Sequence, residues 1–187
     1  MQPMQIRSVT LVLGGVRSGK SRYAQQLAEQ SRRVIFVATA EHRGDEEMRR
    51  KIERHRGERP KHWATIEEPL DLAQAIQSAE RDCDVLLIDC LTLYAANIME
   101  AAGESAKPTE SRIAALCAAL QSVSCSVIIV SNEVGSGVVP AYALGRRFRD
   151  LVGEINQRVA ALADNVLLMV AGLPLVLKGS VSTEALR

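Results

Sequence analysis

Residues Gly14-Gly15-Val16-Arg17-Ser18-Gly19-Lys20-Ser21 follow the pattern G-x-x-x-x-G-K-[ST]. Its place gives the pattern force. It comes directly after the apolar run Val9-Thr10-Leu11-Val12-Leu13 and opens a helical pattern that runs from Lys20 to about Gln30. Glycines in such a loop let backbone N–H groups curl around a phosphate without a Cβ in the way. The helix start adds the positive end of its dipole. Lys20 is then placed to bridge the outer phosphates of a nucleotide, and the Ser21 hydroxyl to ligate Mg²⁺. A chain built this way must deliver a buried strand, a tight loop and a helix in succession.

The rest of the chain extends that unit. Val34–Ala38, Val85–Asp89, Val127–Val130 and Val166–Val170 read as buried strands. Helical patterns lie between them, at about Asp45–Arg56, Pro69–Glu80, Thr92–Ala101, Ser111–Gln121 and along a long helix after Pro140. Gly103 to Pro108 reads as a polar surface loop. Continuous apolar strands alternating with helices predict an α/β fold: a P-loop NTPase-like, mostly parallel sheet with helices on both faces. Leu173–Leu177 follows the preceding strand too closely for a helical crossover, so it is an antiparallel C-terminal edge strand or an extended tail. Residues 1–187 are expected to form a single catalytic domain, with 179–187 as a loose tail.

Composition removes several classes of function. Lys and Arg total 23 against 22 Asp and Glu, a net charge of +1, which argues against a general nucleic-acid binder. Aromatics are only 3%, too few to stack single-stranded bases. Cys83, Cys90, Cys117 and Cys125 form no C-x-x-C pair, so they read as core residues of a reduced, cytoplasmic protein rather than zinc ligands. The Val9–Leu13 run is too short for a signal peptide, and no stretch approaches a membrane span.

Asp89 ends an apolar strand and is placed to hold Mg²⁺, directly or through water. Glu133 and Asp89 both remain open as a general base. All three histidines, His42, His55 and His62, fall in one polar segment. His55 shares a helix face with Met48 and Ile52, and Arg54, Arg56 and Arg59 crowd around it. A neutral imidazole can attack phosphorus, and guanidinium groups stabilise the charge that develops there. The same spacing equally suits a packed helix histidine beside solvated arginines.

Taken together, the motifs resemble one family. Gly14 to Arg22 is similar to the GGxRSGKSR loop of the bifunctional adenosylcobinamide kinase / adenosylcobinamide-phosphate guanylyltransferase family, which acts in cobalamin biosynthesis. Val37-Ala38-Thr39-Ala40-Glu41, the stretch from Asp45 to Trp63, Glu67-Glu68-Pro69-Leu70, Asp89-Cys90-Leu91-Thr92, Ser131 to Pro140, Arg147 to Asp150 and Asn156-Gln157-Arg158 resemble it too, so the likeness covers nearly the whole chain.

The resemblance implies two reactions. The first is phosphorylation of adenosylcobinamide by ATP or GTP. The second is transfer of GMP from GTP to that phosphate through a GMP–histidine intermediate, giving adenosylcobinamide-GDP and pyrophosphate. It makes His55 the nucleophile, alongside Lys20 as a catalytic residue. It also implies nucleotide contacts from Gly14 to Ser21, from Thr39, Ala40 and Glu41, from Arg56, Gly57, Glu58 and Arg59, and from Glu67 and Asp89. Mg²⁺ is the implied cofactor, held by Ser21 and Asp89. A corrinoid and a nucleoside triphosphate are the implied partners, and a trimer is the implied assembly. A carboxylate at Glu67 would accept from guanine N1–H and N2–H. Two other readings fit part of the pattern: a single-activity small-molecule kinase, and a nucleotide-binding regulator with Asn132–Pro140 as its switch.

Overall fold

The computed structural model describes residues 7–40, 46–57, 59–103 and 105–180, without the side chains of 47, 48, 51, 52, 54 and 55. Along the chain the elements are β1 (Val9–Gly14), α1 (Lys20–Ala28), β2 (Val34–Ala38), α2 (Glu46–Gly57), β3 (Ala64–Glu67), α3 (Leu72–Ala79), β4 (Val85–Asp89), α4 (Leu91–Ala102), α5 (Ala106–Ser122), β5 (Ser126–Asn132), α6 (Ala143–Leu162), β6 (Asn165–Val170) and β7 (Leu173–Lys178). The strands form one sheet in the order β3-β2-β4-β5-β1-β6-β7. Five of the six pairings are parallel, and β7 alone runs antiparallel, against β6.

Strand alternation divides the core in two. Leu11, Leu86, Ile88, Val127 and Ile129 point to the face covered by α3, α4, α5 and α6. Val12, Phe36, Leu87, Ile128 and Val130 point to the face covered by α1 and Trp63. The middle of β4 is fully dry, with Leu86, Leu87 and Ile88 at most 1% exposed. Each such side chain contributes about 1.5–3 kcal/mol. The central strands are thus fixed by burial on both sides, and every parallel strand ends at the same edge of the sheet.

Three details differ from the sequence reading, and one choice it left open is resolved. β3 was not expected. Its residues Ala64, Thr65 and Glu67 are exposed, so the short edge strand has no apolar run to announce it. α3 begins at Leu72 rather than Pro69, because the Asp71 carboxylate caps it by accepting from Gln74 N at 3.1 Å. α5 begins at Ala106, so the loop expected over Gly103–Pro108 is shorter and Pro108 lies in the helix's first turn, where its missing N–H costs nothing. Leu173–Lys178 is the antiparallel edge strand and not a tail. Ala171 (φ 51°) and Gly172 (φ 83°) make the two-residue turn that joins it to β6.

Candidate nucleotide site

The phosphate loop leaves β1 at Gly14 and enters α1 at Lys20. Gly14 is required on packing grounds: a Cβ there would overlap Ser18 Oγ and stand 2.9 Å from Met169 O on the paired strand β6. Gly19 is required on conformational grounds, with φ 93° at the N-cap of α1. No side chain caps that helix and its first turn has no acid, so its amino end remains open to an anion. Ser18 N donates to Gly15 O at 3.3 Å, and Lys20 Nζ folds back to Gly15 O at 3.1 Å.

Two contacts hold the loop from outside. Gly172 N, in the β6–β7 turn, donates to Ser18 O at 2.9 Å, and Glu133 N donates to Gly14 O at 3.1 Å. Ser18 Oγ is buried without a partner. Partial burial pushes the Lys20 ammonium pKa down, opposed by the attraction of Cys90 and Asp89. Asp89 closes β4 on the α1 face of the sheet, the face that Gly14 also shares by alternation with Val12.

Thr39 fixes the backbone next to Asp89. Its hydroxyl donates to Cys90 O and accepts from Cys90 N, both at 2.8 Å, and the residue is fully buried. Asn97 in α4 donates to Thr39 O at 2.8 Å and to Pro69 O at 3.1 Å, tying the ends of β2 and β4 to the approach to α3. Ala40 follows at the edge of the described segment.

On the β3 side, Arg56 at the end of α2 pairs with Glu67 at the end of β3. Arg59 lies 3.5 Å from the centroid of the Phe36 ring, a cation–π contact. Burial lowers its pKa, with Asp89 and Glu67 pulling the other way and Arg56 adding to the lowering. The ends of β1, β2, β3 and β4 therefore bring together Gly14–Ser21, Thr39, Arg56, Gly57, Arg59, Glu67 and Asp89. His55 lies in the last turn of α2, and its side chain is outside the described residues, as are Glu41, His42 and Glu58 entirely. His62 is exposed in the turn before β3.

Sequence reading assigned no role to Asn97 or Gly172. Neither carries a local signal, because each acts across the fold. A cavity of about 330 Å³, lined by Leu70, Asp71, Tyr94, Ser111 and Arg112 among others, lies over α3, α4 and α5 and away from the phosphate loop.

Among the described residues no group of three or more His, Cys, Asp or Glu could hold a metal. One carboxylate and one hydroxyl, Asp89 and Ser21, fit the different habit of Mg²⁺, which shares its ligands with substrate phosphates and water.

Such a loop, at the C-terminal edge of such a sheet, has the form of the phosphate-loop class of proteins. More narrowly, the model of the family described as cobinamide kinase / cobinamide phosphate guanyltransferase matches residues 10–177, and the chain belongs to that family. It is thus a bifunctional enzyme with kinase and guanylyltransferase activities. The bifunctional adenosylcobalamin biosynthesis protein CobP of Pseudomonas aeruginosa is 44% identical over 170 residues, covering 90% of this chain and 96% of that one. The corresponding CobU of Escherichia coli (strain K12) is 38% identical over 179 residues, covering 90% and 98%. In structure, the assembled ATPase EscN of the enteropathogenic E. coli type III secretion system superposes with a TM-score of 0.61 at 16% identity. That match covers 97% of this chain but 51% of EscN, and it speaks for the fold alone.

Proposed function

We propose that residues 1–187 work as one catalytic unit in which the phosphate loop holds the triphosphate for both reactions of the family. In the kinase step ATP or GTP gives its γ-phosphoryl group to the aminopropanol hydroxyl of adenosylcobinamide. In the second step His55 attacks the α-phosphate of GTP and pyrophosphate leaves. The corrinoid phosphate then displaces the histidine, giving adenosylcobinamide-GDP and restoring the free imidazole. A covalent nucleophile divides one difficult displacement into two easier ones.

The observation that carries this reading is the convergence at one sheet edge of the loop, Lys20, Asp89 and the arginine pair Arg56 and Arg59. Lys20 neutralises the β- and γ-phosphates. Thr39, Ala40, Glu41, Gly57, Glu58 and Glu67 complete the nucleotide contacts, with Glu67 as the candidate reader of guanine. Ser21 and Asp89 would hold Mg²⁺, which when bound offsets phosphate charge. Placing His55 one residue before Arg56 puts the nucleophile on the element tied to the end of β3.

A homotrimer is the proposed assembly. It is supported by β7, an edge strand whose Leu173, Leu175 and Leu177 are all more than half exposed and which invites cover. Sedimentation of the protein at micromolar concentration checks it, and a monomer would reject it. Four free cysteines support a reducing, cytoplasmic setting.

The test of the function is incubation with α-labelled GTP and Mg²⁺, comparing wild type with His55→Ala. Acid-labile, base-stable label on wild type and none on the variant is the expected result. An active, folded wild type that never takes label would leave a plain kinase.

A further inference from the structure

The Ser131–Pro140 motif has no role in the mechanism so far, yet its first residues stand beside the phosphate loop. Asn132 is the last residue of β5 and pairs in register with Gly14. Its backbone is fully engaged: its N–H donates to Thr92 Oγ1 at 2.8 Å, and its carbonyl accepts from Asn156 Nδ2 at 3.0 Å. Its side chain is not. The carboxamide oxygen is buried with no hydrogen-bond partner. Oxygen and nitrogen of an amide exchange by a half-turn, so a donor is at hand on either assignment.

The sheet says where that amide faces. Val130, two residues earlier, packs on the α1 side, so alternation puts Asn132 on the same side as Gly14 and Asp89. β5 lies between β1 and β4. Two strand spacings, about 9–10 Å, separate the phosphate-loop strand from the Asp89 strand, and Asn132 occupies the middle. Lys20 opens the helix that follows the end of β1, and Asp89 closes β4, so the two flank the end of β5. A triphosphate reaching from the phosphate loop towards Asp89 would pass the end of β5, where Asn132 stands. Buried polar groups are almost always partnered, and a carboxamide whose backbone is fixed by two hydrogen bonds but whose side-chain oxygen is unpaired at this point suits a site completed by a ligand.

We propose that the Asn132 carboxamide donates a hydrogen bond to the γ-phosphoryl group and is a catalytic residue of the kinase step. This rests on the phosphate-loop reading above. In that step the substrate hydroxyl oxygen forms its bond to the γ-phosphorus and the bond to the β,γ-bridging oxygen breaks. The nucleoside diphosphate leaves with that electron pair, and the hydroxyl proton passes to water. An amide aimed at the transferring group stabilises its equatorial charge, and removal of one such donor typically costs on the order of 10²–10³ in rate. The histidine reaction breaks a bond at the α-phosphorus, and the γ-group departs unbroken within pyrophosphate, so that reaction depends on this donor far less.

The two reactions test the proposal within one protein. Kinase kcat and nucleotide KM would be measured for wild type, Asn132→Ala, Asn132→Asp and Lys20→Ala, alongside single-turnover guanylylation with α-labelled GTP. Asn132→Ala should lower kinase kcat at least about a hundredfold with KM changed only a few-fold, while guanylylation stays within about tenfold. Asn132→Asp is nearly isosteric and keeps the backbone contacts to Thr92 and Asn156. It sets a carboxylate against the phosphate and should lower the kinase rate at least as far, even if the alanine variant folds poorly. A kinase kcat within threefold of wild type in either folded variant overturns the proposal, as does an equal loss of both reactions. Lys20→Ala separates the two levels of argument. If it abolishes both activities while Asn132 variants keep theirs, only the role of Asn132 fails. If it leaves both intact, the phosphate-loop reading itself fails.

Discussion

Gly14→Ala is the sharpest perturbation of the loop. The added Cβ would meet Ser18 Oγ and would lie 2.9 Å from Met169 O. The serine hydroxyl can turn away. The carbonyl cannot, because Met169 is paired with Gly14 across the β1–β6 ladder. A comfortable carbon–oxygen contact is about 3.3–3.6 Å, so the strand end or the loop must give by roughly 0.4–0.7 Å. Overpacking of this kind costs about 1–3 kcal/mol. For a chain of this size that is a fall in Tm of roughly 2–12 °C.

The loop should suffer as well. Misplacement by about 1 Å costs on the order of a hundredfold in rate, so a shift of half that size is expected to cost on the order of tenfold. Kinase rates read this second effect, and thermal melts with and without saturating GTP and Mg²⁺ read the loss of stability and of binding, since tenfold weaker binding removes about 1.4 kcal/mol of ligand stabilisation. Gly15→Ala is the control, because its Cβ would meet nothing within 4 Å, and its ligand-free Tm should stay within about 1 °C. A Gly14→Ala protein that melts with wild type and gains the same stabilisation from nucleotide would refute the packing argument.

Other substitutions test other joints. Thr39→Val strips Cys90 N and O of their shared hydroxyl partner and should cost roughly 1–3 kcal/mol in urea unfolding, with a matching loss of kinase rate as Asp89 moves. Gly172→Ala puts a side chain at φ 83° with open space around it. It should cost about 1–2 kcal/mol from backbone conformation alone, yet leave the nucleotide KM within a few-fold because the N–H to Ser18 survives. The hydrogen-bonded Arg33 guanidinium lowers the pKa of Asp84. The stability it adds is present above the unfolded carboxylate value near 3.9 and lost as pH falls through the lower folded value. Asp84→Asn should therefore lower Tm by about 2–4 °C at pH 7 and lose its difference from wild type at strongly acid pH.

The central sheet and half of the site could be read from the chain because their signals are local. β1, β2, β4 and β5 are unbroken apolar runs buried on both faces, and the phosphate loop is contiguous. β3 could not be read so, because an exposed edge strand of four residues is held by its pairing with β2 and not by its own side chains. The start of α3 turned on the Glu68 carboxylate, which accepts from Leu70 N and Asp71 N at 2.9 and 2.8 Å and keeps Pro69 outside the helix. His55 stood out through family resemblance; its helical spacing alone fits an ordinary packed histidine. The contact of Gly172 with Ser18 joins opposite ends of the chain, which no local pattern records.

That last contact belongs to a wider arrangement with a consequence for how the protein comes into being. β1 is threaded between β5 and β6, with Val9 beside Val127 and Thr10 beside Asn165. On the ribosome the phosphate loop emerges before both walls of its slot. Long-range pairings of this kind close late. Until those walls follow, the motif that announces nucleotide binding is an exposed strand and a loop without shape. A chain halted before Asn165 should carry the whole motif and bind no GTP.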